Sequence, residues 1–160
     1  SKDTRGIYRV HQFLKVEQVV FCQNGPDVSK TWHEKLIKMT EDIHKKLKIP
    51  YQVVLMSTGE MGQPQAKKYD LETWMPGRQE YGEAGSDSIL HDFQTRRANI
   101  RYRDHNQELQ FAHTLNNTAL TSARTIIALL ENFQRKDGSV KLPKVLKPYV
   151  GSLVLKPSEK

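Results

Sequence analysis

The sequence predicts an α+β fold, with a mostly antiparallel β-sheet flanked by helices. Residues 7–22 alternate between apolar and polar side chains, which is the period of a strand with two different faces. Residues 29–48 and 118–133 carry apolar side chains at helical spacing. The resulting order of strand, helix, several strands and helix is typical of α+β domains rather than of regularly alternating α/β domains.

Alternation, apolar runs and turn residues place the strands. They are predicted over 7–22, 51–56, 68–75, 81–83, 98–103 and 108–115. Residues 51–56 form a continuous apolar run, typical of a strand that is buried on both faces. The turn Asp104-His105-Asn106 joins the last two strands in a hairpin. A polar bend and a short helical turn with Arg96 and Arg97 are expected between residues 83 and 98.

Capping residues and prolines set the limits of the two helices. Ser29 is expected to cap the first helix, which ends before Pro50 because proline cannot continue a helix. Asn117 or Thr118 is expected to cap the last helix, which runs to Phe133. The chain of 160 residues suffices for one core, so we expect one domain over residues 1–151 and a tail over 152–160.

The composition excludes several classes of protein. Because no apolar run approaches the roughly 20 residues of a membrane helix, no membrane partner is expected. The single cysteine, Cys22, cannot form an intramolecular disulfide, and the histidines show no zinc-ligand spacing. P-loop, Rossmann and hydrolase-elbow motifs are absent. The net charge of +7 suits polyanions such as ATP or RNA, although scattered lysines fit a solvated basic surface equally well.

The polar face of the first predicted strand carries chemically diverse side chains. It presents Arg9, His11, Phe13, Lys15 and Glu17 in succession. An aromatic ring such as that of Phe13 is unexpected on a solvated face. A ring between two cations suits a ligand with a flat base, which stacks on the ring, and with phosphates, which the cations bind. The alternative is a second layer that covers this face and pairs its charges.

Three further groups of residues suggest ligand contacts. Strand 108–115 has a small, polar face that leaves a hollow for a polar ligand. Arg124 lies at the margin of an apolar helix stripe, where a guanidinium needs a carboxylate or phosphate partner. Glu83, Ser86 and Asp87 offer oxygen ligands of the kind that Mg²⁺ takes together with phosphates. The alternatives are a solvated edge for strand 108–115, a snorkelling arginine for Arg124 and a polar loop for residues 83–87.

Seven segments along the chain, with a short eighth, carry recognisable motifs. They are residues 4–18, 58–62, 69–76, 92–97, 113–120, 129–134, 137–139 and 143–149. Taken together, these motifs resemble those of the seryl-tRNA synthetases, which are class II aminoacyl-tRNA synthetases: the first segment looks like the end of their motif 2, and the others follow in the same order. The resemblance therefore covers nearly the whole chain, up to and beyond motif 3.

The resemblance implies part of a class II catalytic core that uses ATP and Mg²⁺ to make seryl-adenylate and then charges tRNA(Ser). Arg9 matches the arginine near the ATP phosphates, and Phe13 matches the ring that stacks on adenine. Arg124 matches the motif 3 arginine that holds the far phosphate of ATP. Arg9 and Arg124 would thus act in catalysis, and the full-length parent would be a homodimer.

The remaining matched residues are expected to bind serine and metal. Glu17 matches the carboxylate that contacts the serine substrate, and Asn116 and Thr118 match residues of the serine pocket. Glu83 and Ser86 match the ligands of the metal and of the α-phosphate, so they also belong to the predicted ATP site.

Several departures from the family pattern accompany this match. The FRxE element, motif 1 and the N-terminal helical arm are not in the sequence, so the chain alone is expected to be inactive. Residues 87–90 replace a CSNC-like run, which raises the alternative of a non-catalytic paralogue that binds protein or RNA. The sequence of residues 74–78, 81–83 and 110–113 resembles that of organellar members of the family. This resemblance favours the mitochondrial matrix as the location of the protein, with the cytoplasm as the alternative.

Overall fold

A five-stranded antiparallel sheet lies at the centre of the computed structural model, which describes residues 5–158. The strands lie in the order β1-β7-β4-β3-β2, and each pairs antiparallel with its neighbours. They are β1 (Lys15–Cys22), β2 (Tyr51–Leu55), β3 (Lys67–Met75), β4 (Glu80–His91) and β7 (His113–Thr121). The predicted α+β fold with a mostly antiparallel sheet is confirmed.

Within residues 5–158, two small two-stranded sheets and four helices accompany this sheet. The strands of the small sheets are β5 (Arg101–Arg103) with β6 (Leu109–Phe111), and β8 (Val140–Lys141) with β9 (Val154–Leu155). The helices are α1 (Pro26–Leu47), α2 (Phe93–Ala98), α3 (Ser122–Phe133) and α4 (Lys147–Val150), with 3₁₀ turns at 58–60 and 144–146. Within residues 5–158, none of the helices is both long and apolar enough to cross a membrane.

The predicted domain limits stay a prediction. Residues 1–4 and 159–160, which belong to the predicted domain and tail, lie outside the described residues. Within the predicted tail, β9 pairs with β8, so this part of the chain is joined to the rest by backbone hydrogen bonds.

Helix α1 covers one face of the sheet and buries its apolar side against it. Its buried residues recur every three or four positions, as an amphipathic helix requires. They are Ser29, His33, Leu36, Ile37, Thr40, His44 and Leu47. Leu36 packs with Ile89 and Leu115 of the sheet, and Ile37 packs with Leu71 and Ala84. The helix therefore covers β1, β7, β4 and β3 on one side of the sheet and does not cover the other side.

The start of α1 differs from the prediction. Gly25 is the N-cap, and Pro26 occupies the first turn, where its missing N–H costs nothing. Ser29 lies inside the helix and is buried against β7, so the predicted cap at Ser29 is wrong.

The first strand also begins later than its alternation predicts. Lys15 pairs with Thr121, the last residue of β7, and α3 begins at the next residue. Residues 7–14 therefore have no residues of β7 to pair with. They form turns and bends, and Leu14 is 79% exposed. Sequence alternation alone could not reveal where the neighbouring strand ends.

Two other predicted boundaries are wrong for related reasons. Asn117 and Thr118 lie within β7, and Thr121 precedes the first residue of α3. Residues 84–91, predicted as a polar bend, continue β4, because β3 and β7 pair with this stretch on both sides. Strand β2 is partly exposed at the edge of the sheet rather than buried on both faces.

His113 joins the beginning of α1 to β7 and β4. Its Nδ1 lies 2.7 Å from the hydroxyl of Ser29 and accepts from the N–H of Gly25 at 3.4 Å, so Nδ1 carries no proton. The ring of His91 is 4.8 Å away. Burial lowers the pKa of His113, the nearby His91 lowers it further, and Asp92 opposes them. A proton on His113 would also face the positive end of the α1 dipole.

This arrangement predicts that His113 makes folding sensitive to acid. Because its pKa is lower in the folded chain than the unfolded value near 6.5, the unfolded state binds the proton first. The stabilisation is present above about pH 6.5 and is lost as the pH falls through the folded pKa. The free energy of unfolding in urea should therefore drop less from pH 7.5 to 5.5 in His113→Asn, which keeps an acceptor but does not titrate.

His105→Asn is the matched control, because His105 is exposed in the β5–β6 turn. It should show the same pH dependence as the unmodified chain. Equal pH dependence of all three proteins would contradict the role given to His113.

Candidate active site

A cavity of about 330 Å³ opens on the side of the sheet that α1 leaves uncovered. Segment 8–15, β4, β7 and the beginning of α3 form its wall. Its lining residues are Tyr8, Arg9, Val10, Phe13, Lys15, Glu83, Ala84, Gly85, Ser86, Thr118, Thr121, Ala123 and Arg124. The volume is within the range of sites for small molecules and cofactors.

The alternation of β7 determines which of its residues reach this cavity. The amide nitrogen of Asn117 donates to Gln18 Oε1 and Thr40 Oγ1, both at 2.7 Å, and lies 3.2 Å from the carbonyl of Leu36. Asn117 therefore faces α1. Because successive side chains of a strand point to opposite faces, Thr118 faces the cavity.

Glu17 meets Thr118 across the β1–β7 pairing. The Thr118 hydroxyl donates to Glu17 Oε2 at 3.0 Å, and the ammonium of Lys15 lies 2.8 Å from the same oxygen. A bulge between Val16 and Glu17 shifts the register of β1 here. The carboxylate of Glu17 thus already holds one ammonium group.

Arg124 and Tyr8 form the other end of the cavity. Arg124 Nη1 donates to the carbonyl of Glu83 at 2.7 Å and lies 3.6 Å from the Glu83 carboxylate. Its guanidinium carbon and that of Arg78 each lie 4.4 Å from the centre of the Tyr8 ring. The Arg124 side chain is 19% exposed, so these contacts fix a cation at the cavity in a mostly desolvated position.

Gly85 allows β4 and β7 to approach closely at the floor of the cavity. A Cβ atom at this position would lie 2.9 Å from the carbonyl oxygen of Thr118 and 3.0 Å from its Cβ. No side chain fits there without displacing the backbone of β7. The glycine therefore keeps Ser86 and Thr118 beside each other on the floor.

Glu83 and Ser86 are compatible with the predicted magnesium site. Both line the cavity, and they offer one carboxylate and one hydroxyl. Within residues 5–158, no group of three or more His, Cys, Asp or Glu side chains is arranged to hold a metal ion. Mg²⁺ fits this sparse set of ligands, because it typically takes one or two protein oxygens and completes its shell with phosphates and water.

Asp87 does not belong to this group, so its inclusion among the oxygen ligands is wrong. It is fully buried on the α1 side, where its carbonyl lies 3.1 Å and its carboxylate 3.7 Å from His33 Nε2. Burial raises the pKa of Asp87 to about 8 and lowers the pKa of His33. Burial thus favours the neutral form of both side chains. Alternation predicts this separation, since Ser86 and Asp87 are adjacent in a strand.

The structure brings most of the predicted site residues together. The residues that line one cavity are Arg9, Phe13, Glu83, Ser86, Thr118 and Arg124. Glu17 joins them through Thr118. Asn116 pairs with Val19 and Ser88 in the same part of the sheet but does not line the cavity. The individual roles given to these residues stay predictions.

Tyr8, Arg78 and Gly85 were missed by the sequence reasoning. Alternation assigned Tyr8 to the apolar face of a strand, whereas it lies in the irregular segment before β1 and contacts two arginines. No sequence signal identifies Arg78, which lies in the turn between β3 and β4. A glycine within a strand signals a close approach, so Gly85 could have been found had the strand itself been recognised.

Comparison with known proteins agrees with this fold. The model of the tRNA synthetase class II core domain (G, H, P, S and T) matches residues 1–133, so the chain belongs to that family. The chain is 51% identical to the serine–tRNA ligase of Pyrococcus abyssi and 50% identical to that of Rubrobacter xylanophilus. Each match covers 100% of this chain, but only 35% and 37% of the two relatives.

Solved structures show the same relationship. The seryl-tRNA synthetase from Pyrococcus horikoshii, complexed with ATP, superimposes with a TM-score of 0.94 at 49% identity, over 99% of this chain and 35% of that one. The cytoplasmic serine–tRNA ligase from Naegleria fowleri, in complex with AMP, gives 0.91 at 40% identity, over 99% and 37%. The resemblance to a part of the seryl-tRNA synthetase catalytic domain is therefore confirmed, and the chain spans about a third of these relatives.

The close approach of β4 and β7 at Gly85 predicts that adding a single methyl group there lowers the stability of the fold. Gly85→Ala should separate β4 from β7, because the added Cβ meets a backbone oxygen that cannot rotate away. We expect a loss of roughly 1–3 kcal/mol in the free energy of unfolding, measured in urea. Gly59→Ala is the control, since its added Cβ would meet only Ser57 Oγ at 3.9 Å. Equal stability of the two variants would show that β4 and β7 are not held this closely.

Proposed function

We propose that the protein carrying this chain is a serine–tRNA ligase, which activates serine with ATP and transfers it to tRNA(Ser). The observation that carries the proposal is the cavity together with the carboxylate beside it. The cavity combines an exposed ring, Phe13, with a fixed cation, Arg124, and its lining residue Thr118 donates to the carboxylate of Glu17, which already holds an ammonium group. A purine, a polyphosphate and an amino acid are the ligands that these three groups suit.

The ATP half of the site is formed by segment 8–13 and α3. Phe13 lies outside the sheet and is 50% exposed, so its ring is accessible for stacking on adenine. Arg9 and Arg124 line the same cavity and supply positive charge for the phosphates. The P. horikoshii enzyme, which is described as complexed with ATP, supports this assignment through its similarity of fold and sequence.

The serine half is formed where β1 meets β7. In this proposal the ammonium of serine takes the place of Lys15 beside Glu17, and the Thr118 hydroxyl keeps the carboxylate in position. Asn116 lies two residues from Thr118 on the same strand and would complete the pocket. The side chains of Ser86 and Thr118 on the floor of the cavity are small and polar, which suits a small polar amino acid such as serine.

Catalysis then follows from the placement of charge. An oxygen of the serine carboxylate attacks the α-phosphorus in line, the bond to the β-phosphate oxygen breaks, and pyrophosphate leaves. Arg9 and Arg124 stabilise the negative charge that accumulates on the phosphates and thereby lower the barrier. Glu83 and Ser86 would hold Mg²⁺, which screens the phosphate charges when bound. No nucleophilic side chain is needed.

The finer expectations are part of the proposal. These are a homodimeric parent, inactivity of the chain alone, and a place in the mitochondrial matrix rather than the cytoplasm. The alternative of a non-catalytic paralogue rests on residues 87–90. Asp87 faces α1 and not the cavity, so this departure lies partly outside the site and favours catalysis.

Serine-dependent exchange of pyrophosphate into ATP by the full-length protein tests the proposal. Glu17→Gln should raise the KM for serine at least tenfold, about 1.4 kcal/mol, because an amide cannot balance the charge of the ammonium. The KM for ATP should change less than twofold, since Glu17 is predicted to contact only serine.

The matched control is Glu72→Gln, whose carboxylate accepts from Gln52 on the outer strands of the sheet. It should leave both KM values unchanged. Absence of exchange in the unmodified protein would favour the non-catalytic paralogue, and an equal effect of Glu17→Gln on both substrates would contradict the separation into two halves.

A further inference from the structure

Positive charge is concentrated near the C-terminal end of the chain. Residues 135–156 contain six lysines or arginines and a single acidic residue, Asp137. This segment of 22 residues therefore carries a net charge of +5, whereas the whole chain carries +7. The remaining 138 residues are nearly neutral. Such a local excess is not explained by the ATP site, because none of these residues lines its cavity.

The fold places further lysines beside this segment. Leu146 packs against the cluster of Leu47, Ile49 and Ala128, which joins the 3₁₀ turn at 144–146 to the end of α1. Lys144 and Lys147 lie on either side of Leu146, and Lys46 and Lys48 lie on either side of Leu47. All four are exposed. We call Lys46, Lys48, Lys144, Lys147 and the neighbouring Tyr149 the C-terminal basic surface.

These lysines are not neutralised by carboxylates. Lys45, which precedes Lys46 in the last turn of α1, lies 3.8 Å from Glu41 and forms an i,i+4 pair. Among the ion pairs of residues 5–158, none includes Lys46, Lys48, Lys144 or Lys147. Like charges placed close together repel, so an anion that bridges them is bound favourably.

Tyr149 gives this surface a flat apolar element. It is 82% exposed, more than any other large hydrophobic residue that the structure describes. It lies on α4, two residues after Lys147, and follows Pro148, which restricts the backbone. An exposed ring among cations is the combination on which single-stranded nucleic acids stack their bases and place their phosphates.

We propose that the C-terminal basic surface binds single-stranded RNA, with the phosphates on the lysines and one base on Tyr149. An anionic membrane is a poorer fit, because α4 has only four residues and cannot lie in a membrane interface as an amphipathic helix. The inference goes beyond the proposed function. The surface shares no residue with the cavity, so it binds RNA without ATP or serine.

The test measures the binding of a fluorescein-labelled, mixed-sequence RNA of 12 nucleotides to the full-length protein by fluorescence anisotropy. The variant Lys144→Gln/Lys147→Gln should bind about tenfold more weakly at 100 mM salt. The slope of log K against log salt should fall by about 1.4, because each lost phosphate contact contributes roughly 0.7 for single strands. Lys30→Gln/Lys35→Gln, which removes the same charge from the N-terminal half of α1, should change affinity less than twofold.

Variants of Tyr149 test the contribution of base stacking separately from that of charge. Tyr149→Ala should weaken binding about tenfold, whereas Tyr149→Phe should bind within twofold of the unmodified protein. Circular dichroism spectra of the variants check that each is folded.

Three results would overturn the inference: no binding of the RNA, equal weakening by both double lysine variants, or tighter binding to vesicles with 30% phosphatidylserine than to RNA. Because the measurement contains no ATP or serine, these results are independent of the pyrophosphate exchange that tests the proposed function.

Discussion

The orientation of Asn117 is the constraint on which the site depends. This side chain is 1% exposed, and its amide nitrogen is held by Gln18 and Thr40, with the carbonyl of Leu36 close by. A buried amide is costly unless its hydrogen bonds are made, so β7 cannot slip by one residue without leaving these groups unpaired. With Asn117 facing α1, Thr118 must face the other side of the sheet.

The remaining parts of the site follow from that orientation. Thr118 meets the carboxylate of Glu17 across one strand pairing and the backbone of Gly85 across the other. The same register places α3 directly after β7, so that Arg124 reaches the carbonyl of Glu83 and the ring of Tyr8. One hydrogen-bonded amide on the packed face thus determines which groups are available on the open face.

The sequence predicted the fold class and most of the residues that gather at the cavity, but fewer of the boundaries. Arg9 and Phe13, which motif similarity predicts to contact ATP, both line the cavity, although the strand predicted to carry them is absent before Lys15. Local alternation indicates how a segment could pair, but not where its partner ends. The polar bend predicted after residue 83 is wrong for the same reason, because only the two neighbouring strands make residues 84–91 a strand.

Amide spectra of the ¹⁵N-labelled protein, titrated with ATP and serine, test the central claim most directly. The account predicts saturable shifts at Glu17, Ser86, Thr118 and Arg124, with little change at His33 on the opposite face. Saturable shifts confined to the α1 face, with none at those four residues, would contradict the assignment of the open face of the sheet as the active site.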